Sequence, residues 1–324
     1  MRLILVELTR FRSRRAIALM LLAAALLTGL IATTTIWETR PVSAQDMKSA
    51  QAQADREAQQ PYVHREIRRC EKHPERYSGP GATAADCAEM VTPQPEWFIH
   101  RQPVNLAQER RDSGLAVLMI VAALMTIVGT TFAGADWASG SMSNQVLFEP
   151  RRTKVWLAKA AAVFLGTLVA AALIVAAFWV ALYVSAEMRG IHTGATAQEA
   201  IREMAGRGVL LAAFGALGGY ALTMLLRHTV GTLAAMFAYS VGGEALTASL
   251  PIEGAGSWSL ANNVFAWLYD GHSYYDDSLP CSPGLDGCDQ SALMSLGDGV
   301  TYLGVLLLVV VGMSMFSFRR RDIP

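Results

Sequence analysis

The segment from Asp136 to Lys159 holds the residues whose types and spacing most suggest a function. In order, it contains an acid, a glycine–serine step, a proline followed by two arginines, and a closing lysine: Asp136, Gly140, Ser141, Pro150, Arg151, Arg152 and Lys159. Long apolar runs flank the segment on both sides. A polar, basic segment in this position can lie in the headgroup layer of a membrane and contact a soluble partner. We therefore expect residues 136–159, here called the polar hinge, to be a partner-binding segment.

Known catalytic motifs are missing from the sequence. It has no G-x-x-x-x-G-K-[ST] phosphate loop, no H-E-x-x-H zinc motif and no G-x-S-x-G nucleophile motif. A zinc site built from His64, Cys70, His73 and Cys87 is conceivable, but their spacing matches no zinc-finger pattern. The sequence thus predicts a chain that is not an enzyme, with no catalytic residue, no metal site and no cofactor of its own.

One ionisable residue, Glu244, falls within an apolar run, directly after Gly242 and Gly243. An acid inside a membrane is costly, so by default it is a functional candidate. Three interpretations stay open at this point. Glu244 lines a substrate path, or it pairs with a polar group of a neighbouring span, or it reaches the interface at the outer end of its own span.

Gly215 and Gly219 lie four residues apart in another apolar run. Together with Gly218 they suggest a nucleotide-binding glycine loop, but no phosphate-binding helix start follows them. A pair of small residues at this spacing allows a second helix to approach closely. We expect Gly215 and Gly219 to serve helix packing.

The apolar runs define the fold class. Hydrophobic residues make up 52% of the 324 residues and charged residues 17%, against about 25% charged residues in typical soluble domains. Six runs are long enough to cross a hydrocarbon core of roughly 30 Å as helices. They cover residues 16–37, 114–134, 156–184, 208–226, 230–250 and 300–318. The sequence predicts an all-α membrane protein with six transmembrane helices.

The segments between these runs complete the organisation. Residues 1–15 are basic and amphipathic, which predicts a helix lying in the headgroup layer; a solvated flank and a signal peptide are the alternatives. Residues 136–154, the first part of the polar hinge, are expected to form a cytoplasmic coupling segment. The long polar segment 38–112 predicts a cap that is helical at its start. The second long segment, 251–298, predicts a loop with a short half-inserted helix at SLANNVFAWLYDG.

The distribution of lysine and arginine predicts the orientation. Basic residues concentrate in residues 1–15, in the polar hinge, at Arg227 and in the tail 319–324, whereas 251–298 has none. The polar loop expected over 185–206 carries few. By the positive-inside rule, both termini and the polar hinge are expected in the cytoplasm. Frequent alanine and arginine with little lysine suggest the cytoplasmic membrane of a bacterium.

The cysteines agree with this orientation. Cys70 and Cys87 fall in one long polar segment, and Cys281 and Cys288 fall in the other. Disulfides persist in oxidising compartments, so both segments are expected outside. Of the three possible connectivities, the two local pairs Cys70–Cys87 and Cys281–Cys288 are the simplest.

The polar hinge resembles the first cytoplasmic loop of permease subunits of ABC exporters in the ABC-2 superfamily. In that family an acid is followed after three residues by Gly-Thr, then by a Pro-Arg element and by a lysine that opens the next span. Asp136 stands where glutamate is usual, and Gly140 and Ser141 stand for Gly-Thr. The remaining elements match at Pro150, Arg151, Arg152 and Lys159. The basic N-terminal segment and the tail after Phe318 are similar to those of such permeases as well.

The resemblance implies a partnership. Two permease chains would pair, as a homodimer or with a sister permease, and each would be driven by a separate ABC ATP-binding subunit that holds ATP and Mg²⁺. The resemblance also implies a short helix within 136–154, which would contact this ATPase together with the N-terminal helix. The short helix in 251–298 would form the re-entrant external helix. With a net charge of zero, no nucleic-acid partner is expected.

Two other functions stay open. One is a non-transport membrane anchor or sensor that uses the 38–112 cap as its ligand-binding element. The other is a membrane enzyme that acts on lipid. An enzyme needs histidine, aspartate or glutamate clustered at the membrane face, and the sequence shows only scattered ones.

Overall fold

The computed structural model describes residues 2–79, 81–99, 101, 103–249, 252, 254–276, 279 and 290–320. These residues are mostly helical, which confirms the predicted all-α class. The chain forms two compact units. The first contains Met1–Ala32, Leu106–Val184 and His192–Pro324, and the second contains Thr33–Asn105 and Ser185–Ile191.

The N-terminal region forms two helices, α1 (Arg2–Ser13) and α2 (Arg15–Glu38). A helix over residues 1–15 and a long apolar helix over 16–37 were both expected, and both are present. The location of α1 in a headgroup layer stays a prediction.

The second unit holds most of the predicted 38–112 cap. Its helices are α3 (Ala44–Ala58), α4 (Pro61–Lys72), α5 (Glu75–Ser78) and α6 (Ala84–Val91), followed by a 3₁₀ turn at Pro95–Phe98. The predicted Cys70–Cys87 disulfide is confirmed and joins α4 to α6 with a Cα–Cα distance of 5.6 Å. The cap is therefore helical beyond its start.

Local hydrogen bonds start two of the cap helices. Asp46 accepts from the backbone N–H and the hydroxyl of Ser43, and the Ser43 hydroxyl accepts from the Asp46 N–H in return. Asp86 and Thr83 form the same capping box at the start of α6. Such boxes satisfy the unpaired N–H groups of a helix start. The hydrogen bond from the Ser43 N–H is the main reason why the pKa of Asp46 lies below its usual value.

The second unit also contains a link between two helix ends. The Arg189 guanidinium donates to the carbonyls of Ile36, at 2.7 Å, and Thr39, at 2.8 Å. The last carbonyls of a helix have no partner within the helix. Arg189 satisfies two of them at the end of α2.

The middle of the chain forms five helices, which lie in the first unit except for the end of α10. They are α7 (Leu106–Glu109), α8 (Ser113–Ala138), α9 (Ser141–Phe148), α10 (Arg152–Met188) and α11 (Ala195–Leu226). The short helix expected within 136–154 is present as α9. The prediction of a polar loop over 185–206 is wrong in its limits, because α10 continues to Met188 and α11 already begins at Ala195. Good helix formers and a Glu203–Arg207 ion pair one turn apart account for this extension.

The expected fifth span, 230–250, is helical but not a single α-helix. It consists of α12 (Thr229–Phe237), a π-helical turn at Ala238–Gly242 and α13 (Gly243–Ser249). The paired glycines at 242 and 243 weaken a regular helix, and Ser240 donates its hydroxyl proton to the Phe237 carbonyl at 3.1 Å. Turns of the π type occur frequently at functional sites.

The C-terminal region contains a small unpredicted sheet. A 3₁₀ turn at Ala255–Trp258 leads into α14 (Leu260–Tyr269), which is the expected short aromatic helix. Strands β1 (His272–Tyr275) and β2 (Ser291–Met294) then pair antiparallel, with His272 opposite Met294. The last helix, α15 (Leu296–Arg320), covers the expected span 300–318. Cys281 and Cys288 lie outside the described residues.

Five helices of the described chain are long and apolar enough to cross a membrane. They are α2, the segment Leu106–Ala138 that contains α7 and α8, and the helices α10, α11 and α15. The sixth predicted span, 230–250, is not among them. Their length and composition are those of an integral membrane protein.

Close packing of α8 on α11 forms the core of the first unit. A side chain at Gly219 would lie 2.6 Å from the Thr126 carbonyl oxygen, and one at Gly215 would lie 2.5 Å from the Thr126 hydroxyl. A side chain at Gly129 on α8 would lie closer still to the Ala216 carbonyl oxygen of α11. Small residues on both helices therefore let the two backbones approach, as is common between membrane helices.

Candidate functional site

Asp136 and Lys159, the two ends of the polar hinge, form a buried ion pair. The Lys159 ammonium donates to Asp136 Oδ2 at 2.5 Å, although the residues lie on different helices, α8 and α10. The side chains are 1% and 0% exposed. The structure thus brings together two of the residues singled out from the sequence, and it hides both from any partner.

Two residues of the N-terminal region complete this pair. Glu7 on α1 accepts from the Lys159 ammonium at 2.9 Å. Arg14, between α1 and α2, donates to Asp136 Oδ1 and, at 2.6 Å, to the Phe132 carbonyl. We call Glu7, Arg14, Asp136 and Lys159 the charge cluster.

The sequence contained one signal for the charge cluster that its interpretation missed. Glu7 is the single acid among the first 15 residues, which are otherwise basic and apolar. It shares one face of α1 with Leu3 and Phe11, at intervals of four residues, and Phe11 is buried. An acid on the apolar face of a basic helix needs a cationic partner.

The charge cluster has two acids and two bases, so its own formal charges cancel, and Arg10 on α1, which is 43% exposed, also donates to Glu7 at 3.1 Å. Charges taken out of water cost several kcal/mol each unless they are paired and hydrogen-bonded. The aromatic face of Phe132 adds to the pairing, with the Lys159 ammonium 5.3 Å and the Arg14 guanidinium 4.7 Å from its ring centre. Every charge in the cluster is matched, so its role is to join α1, α8 and α10 rather than to transfer protons.

The charge cluster also fixes the start of α9. The Ser141 hydroxyl donates to Asp136 Oδ1 at 2.8 Å. Gly140 precedes it with a φ of +67°, a left-handed conformation that favours glycine. Met142, in the first turn of α9, is completely buried. The glycine–serine step therefore turns the chain from α8 into α9 and hydrogen-bonds the new helix to the cluster.

The end of α9 presents two large apolar side chains. Leu147 is 81% exposed and Phe148 is 91% exposed. Full burial of side chains of this size is worth about 1.5–3 kcal/mol each. We call these two residues the apolar tip. It carries no charge and lies at the last two positions of a helix whose first turn contains the buried Met142.

The proline and the two arginines of the polar hinge follow the apolar tip. Glu149 is extended, as expected before Pro150, and α9 ends there. Arg151 donates to Glu149 at 2.7 Å and remains largely exposed. This hydrogen bond lowers the pKa of the Glu149 carboxyl from its usual value.

Arg152 differs from Arg151 in its contacts. Its guanidinium lies 3.5 Å from the carbonyl oxygens of Phe318 and Arg319 at the end of α15. Cations are stabilised near the last carbonyls of a helix. The two arginines, which the sequence treats as one basic element, therefore have separate surroundings.

Two buried polar groups near α9 lack hydrogen bonds to the described residues. They are the Gln145 side-chain amide and the Trp137 indole N–H. A buried polar group without a partner costs about 1–3 kcal/mol. A rearrangement of α9 that gave these groups partners would therefore recover free energy.

Glu244 lies apart from the polar hinge, on α13, and its carboxylate reaches the start of α14. Its carboxylate accepts from the Ser259 hydroxyl at 2.7 Å and from the Ala261 N–H at 2.8 Å. A negative charge at a helix start is stabilising. The partners lie at the start of the short helix α14 and not on a neighbouring span. A role in a substrate path stays a prediction.

Metal ligation has no support in the described part of the chain. Among those residues, no group of three or more histidine, cysteine, aspartate or glutamate side chains is arranged to hold a metal ion.

Comparison of the chain with protein-family models, with curated proteins and with solved structures finds no match.

Proposed function

We propose that this chain is the permease subunit of an ATP-binding cassette exporter, which forms the transmembrane path for a substrate. A separate ATPase subunit, carrying ATP and Mg²⁺, would dock on the polar hinge and drive the permease. Two permease chains, identical or sister, would form the complete path.

The apolar tip is the observation that carries this proposal. Leu147 and Phe148 are the most prominent feature of a short helix between two helices of membrane-crossing length. Burial of two such side chains supplies the apolar centre that protein interfaces need. The exposed Arg151 beside the tip suits the polar rim of such an interface.

The charge cluster supports a mechanical role for the same helix. A partner that displaced α9 would act on Asp136 through the Ser141 hydroxyl, and on Lys159 and Glu7 through Asp136. Buried ion pairs tolerate little separation, because each exposed or unpaired charge is costly. Movement of the partner would therefore reach α1, α8 and α10 together.

The proposed arrangement in the membrane follows from the apolar helices and the basic residues. Residues 229–249 would form a sixth crossing, broken by the π-helical turn. The positive-inside rule then places both termini and the polar hinge in the cytoplasm of a bacterium. The second unit, with its disulfide, would lie outside.

Purification from native membranes tests the proposal. The full chain would be isolated in mild detergent, and every bound protein would be identified. We expect a stoichiometric subunit that contains a G-x-x-x-x-G-K-[ST] phosphate loop. Replacing both tip residues, Leu147→Ser and Phe148→Ser, should weaken its binding by about 2–4 kcal/mol, or about 30- to 700-fold.

A matched control distinguishes a specific loss of ATPase docking from the effect of removing any exposed apolar side chain. Met188 is 83% exposed at the end of α10, and Met188→Ser should leave the ATPase bound. If the tip variant retains the ATPase as well as the wild type does, the tip anchors α9 in the membrane interface and the docking role is wrong.

A membrane anchor or sensor is the second candidate, favoured by the folded cap. The cap is a compact unit closed by its own disulfide, well beyond what a simple connection requires. A chain that was purified without any ATPase, and that bound a ligand through residues 38–112, would establish this function instead.

A further inference from the structure

A groove of about 820 Å³ opens in the first unit. It lies between the π-helical turn at Ala238–Gly242, the 3₁₀ turn at Ala255–Trp258, the β1–β2 sheet and α15. Its volume falls in the range of about 300–1,000 Å³ that is usual for small-molecule sites. Four aromatic side chains line it: Tyr239, Trp258, Tyr274 and Tyr302. Neither the polar hinge nor the charge cluster contributes to it.

The hydroxyl groups at one end of the groove form a chain with a defined direction. The Tyr302 hydroxyl donates to the Trp258 carbonyl at 3.0 Å. The Tyr239 and Tyr302 oxygens are 2.5 Å apart, and since the Tyr302 proton is already used, Tyr239 must be the donor. Both phenolic protons are then committed, and Tyr239 offers the groove only the lone pairs of its oxygen.

Asp298 adds a negative charge to the same lining. Its Oδ2 accepts from the Ser295 N–H, at 2.9 Å, and from the Ser295 hydroxyl, at 2.7 Å. An ionised carboxylate has about four acceptor positions, so these two hydrogen bonds leave capacity for a ligand. The polar end of the groove therefore accepts hydrogen bonds and attracts positive charge.

The described lining of the groove has no opposing charge. Asp298 is the one charged side chain among the lining residues, and none of them is a lysine or arginine. A carboxylate in a cleft raises the local concentration of ions of the opposite sign.

The other wall of the groove is apolar. Val305, Leu306 and Val309 line it from α15, at helical spacing on one side of a helix of membrane-crossing composition. A hydrocarbon chain fits such a wall. The groove thus combines an apolar wall with an aromatic and acidic end.

We propose that this groove binds an amphiphilic cation, with its alkyl chain against α15 and its ammonium group among Tyr239, Trp258 and Asp298. Aromatic faces attract quaternary ammonium groups, and a nearby carboxylate adds to the attraction. Because the groove uses none of the polar hinge, this binding is independent of any ATPase partner.

Equilibrium binding to the purified full chain tests the site. The chain would be placed in nanodiscs of zwitterionic lipid, and binding of radiolabelled dodecyltrimethylammonium would be measured with empty nanodiscs subtracted. Dodecyldimethylamine oxide in its uncharged form carries the same alkyl chain and serves as the matched probe. We expect saturable binding of the cation about fivefold tighter than that of the amine oxide, and weaker at higher ionic strength.

Variants assign the cation preference to the groove. Asp298→Asn should weaken binding of the cation about fivefold and leave the amine oxide unchanged. Tyr239→Phe removes a partly negative phenolic oxygen from beside the ammonium group and should weaken binding of the cation in the same direction. Asp270→Asn removes an equal charge, one that pairs with Arg207 at 3.4 Å, and should have no effect.

Two results would overturn the proposal. In the first, both probes bind equally tightly and neither groove variant changes the affinity for the cation, so that the groove is only an apolar surface. In the second, neither probe binds above the empty nanodiscs, as expected if another copy of the chain covers the groove. If Asp298→Asn fails to fold, Tyr239→Phe alone decides between these outcomes.

Discussion

Removal of the buried ammonium of Lys159 is the most direct test of the charge cluster. The substitution Lys159→Met keeps a long, unbranched side chain and deletes the charge. Glu7 and Asp136 then face each other across the vacated position. Asp136 keeps Arg14, whereas Glu7 keeps only Arg10 of its own helix, a partly exposed cation at 3.1 Å. The substitution thereby removes two ion pairs, whose nitrogen–oxygen distances are 2.9 Å to Glu7 and 2.5 Å to Asp136.

The size of the effect follows from the geometry. At an effective dielectric constant of about 20, two unit charges 2.9 Å apart attract by about 6 kcal/mol. Desolvation of the ions offsets much of this, at several kcal/mol for each ion. Breaking a buried pair by removal of one partner costs about 3–5 kcal/mol, and we expect Lys159→Met to lower the free energy of unfolding by this amount.

A second substitution tests the reason for the destabilisation. Glu7→Gln in the Lys159→Met background restores a balance of one acid and one base, since Asp136 keeps Arg14 and Ser141 as donors. The double variant should therefore be more stable than Lys159→Met alone. Lys154→Met, one and a half turns earlier on an exposed position of α10, is the control and should change stability by less than about 0.5 kcal/mol.

Unfolding in mixed micelles supplies the measurement. The free energy of unfolding of each variant would be obtained by titration with sodium dodecyl sulfate, with helical circular dichroism as the signal. If Lys159→Met is no less stable than Lys154→Met, the charge cluster does not join the three helices. If Glu7→Gln brings no recovery, the destabilisation has a cause other than an unpaired buried charge.

Two further predictions concern packing and the second cysteine pair. Gly219→Leu places a side chain against the Thr126 carbonyl and should lower the free energy of unfolding by about 1–3 kcal/mol in the same micelle assay. Gly304→Leu is the control and should be neutral, because a side chain there meets nothing within 4 Å. Equal effects of the two variants would show that the close approach of α8 and α11 is not important for stability. Cys281 and Cys288 are expected to form the second disulfide, so peptide mass spectrometry without reductant should detect the linked peptides, and free thiols at both positions would contradict the external location of residues 251–298.

Local sequence patterns predicted the five membrane-type helices, although α11 begins at Ala195 and not at residue 208. A hydrocarbon core leaves no water to bond a peptide group, so an apolar run of sufficient length must satisfy its backbone within a helix. The Cys70–Cys87 disulfide was predicted from the positions of the cysteines, and the short helix in the polar hinge from the family resemblance of its local motif. Such features need only neighbouring residues, and for that reason the sequence alone revealed them.

The charge cluster was decided by tertiary structure. Glu7 and Lys159 are 152 positions apart, and no periodicity relates them. Their meeting depends on how α1, α8 and α10 pack. The same holds for the polar hinge, where the sequence grouped Asp136 and Lys159 with Arg151 as one partner-facing set. Folding buries the first two and leaves the third exposed, because only unlike charges on facing helices can compensate each other away from water.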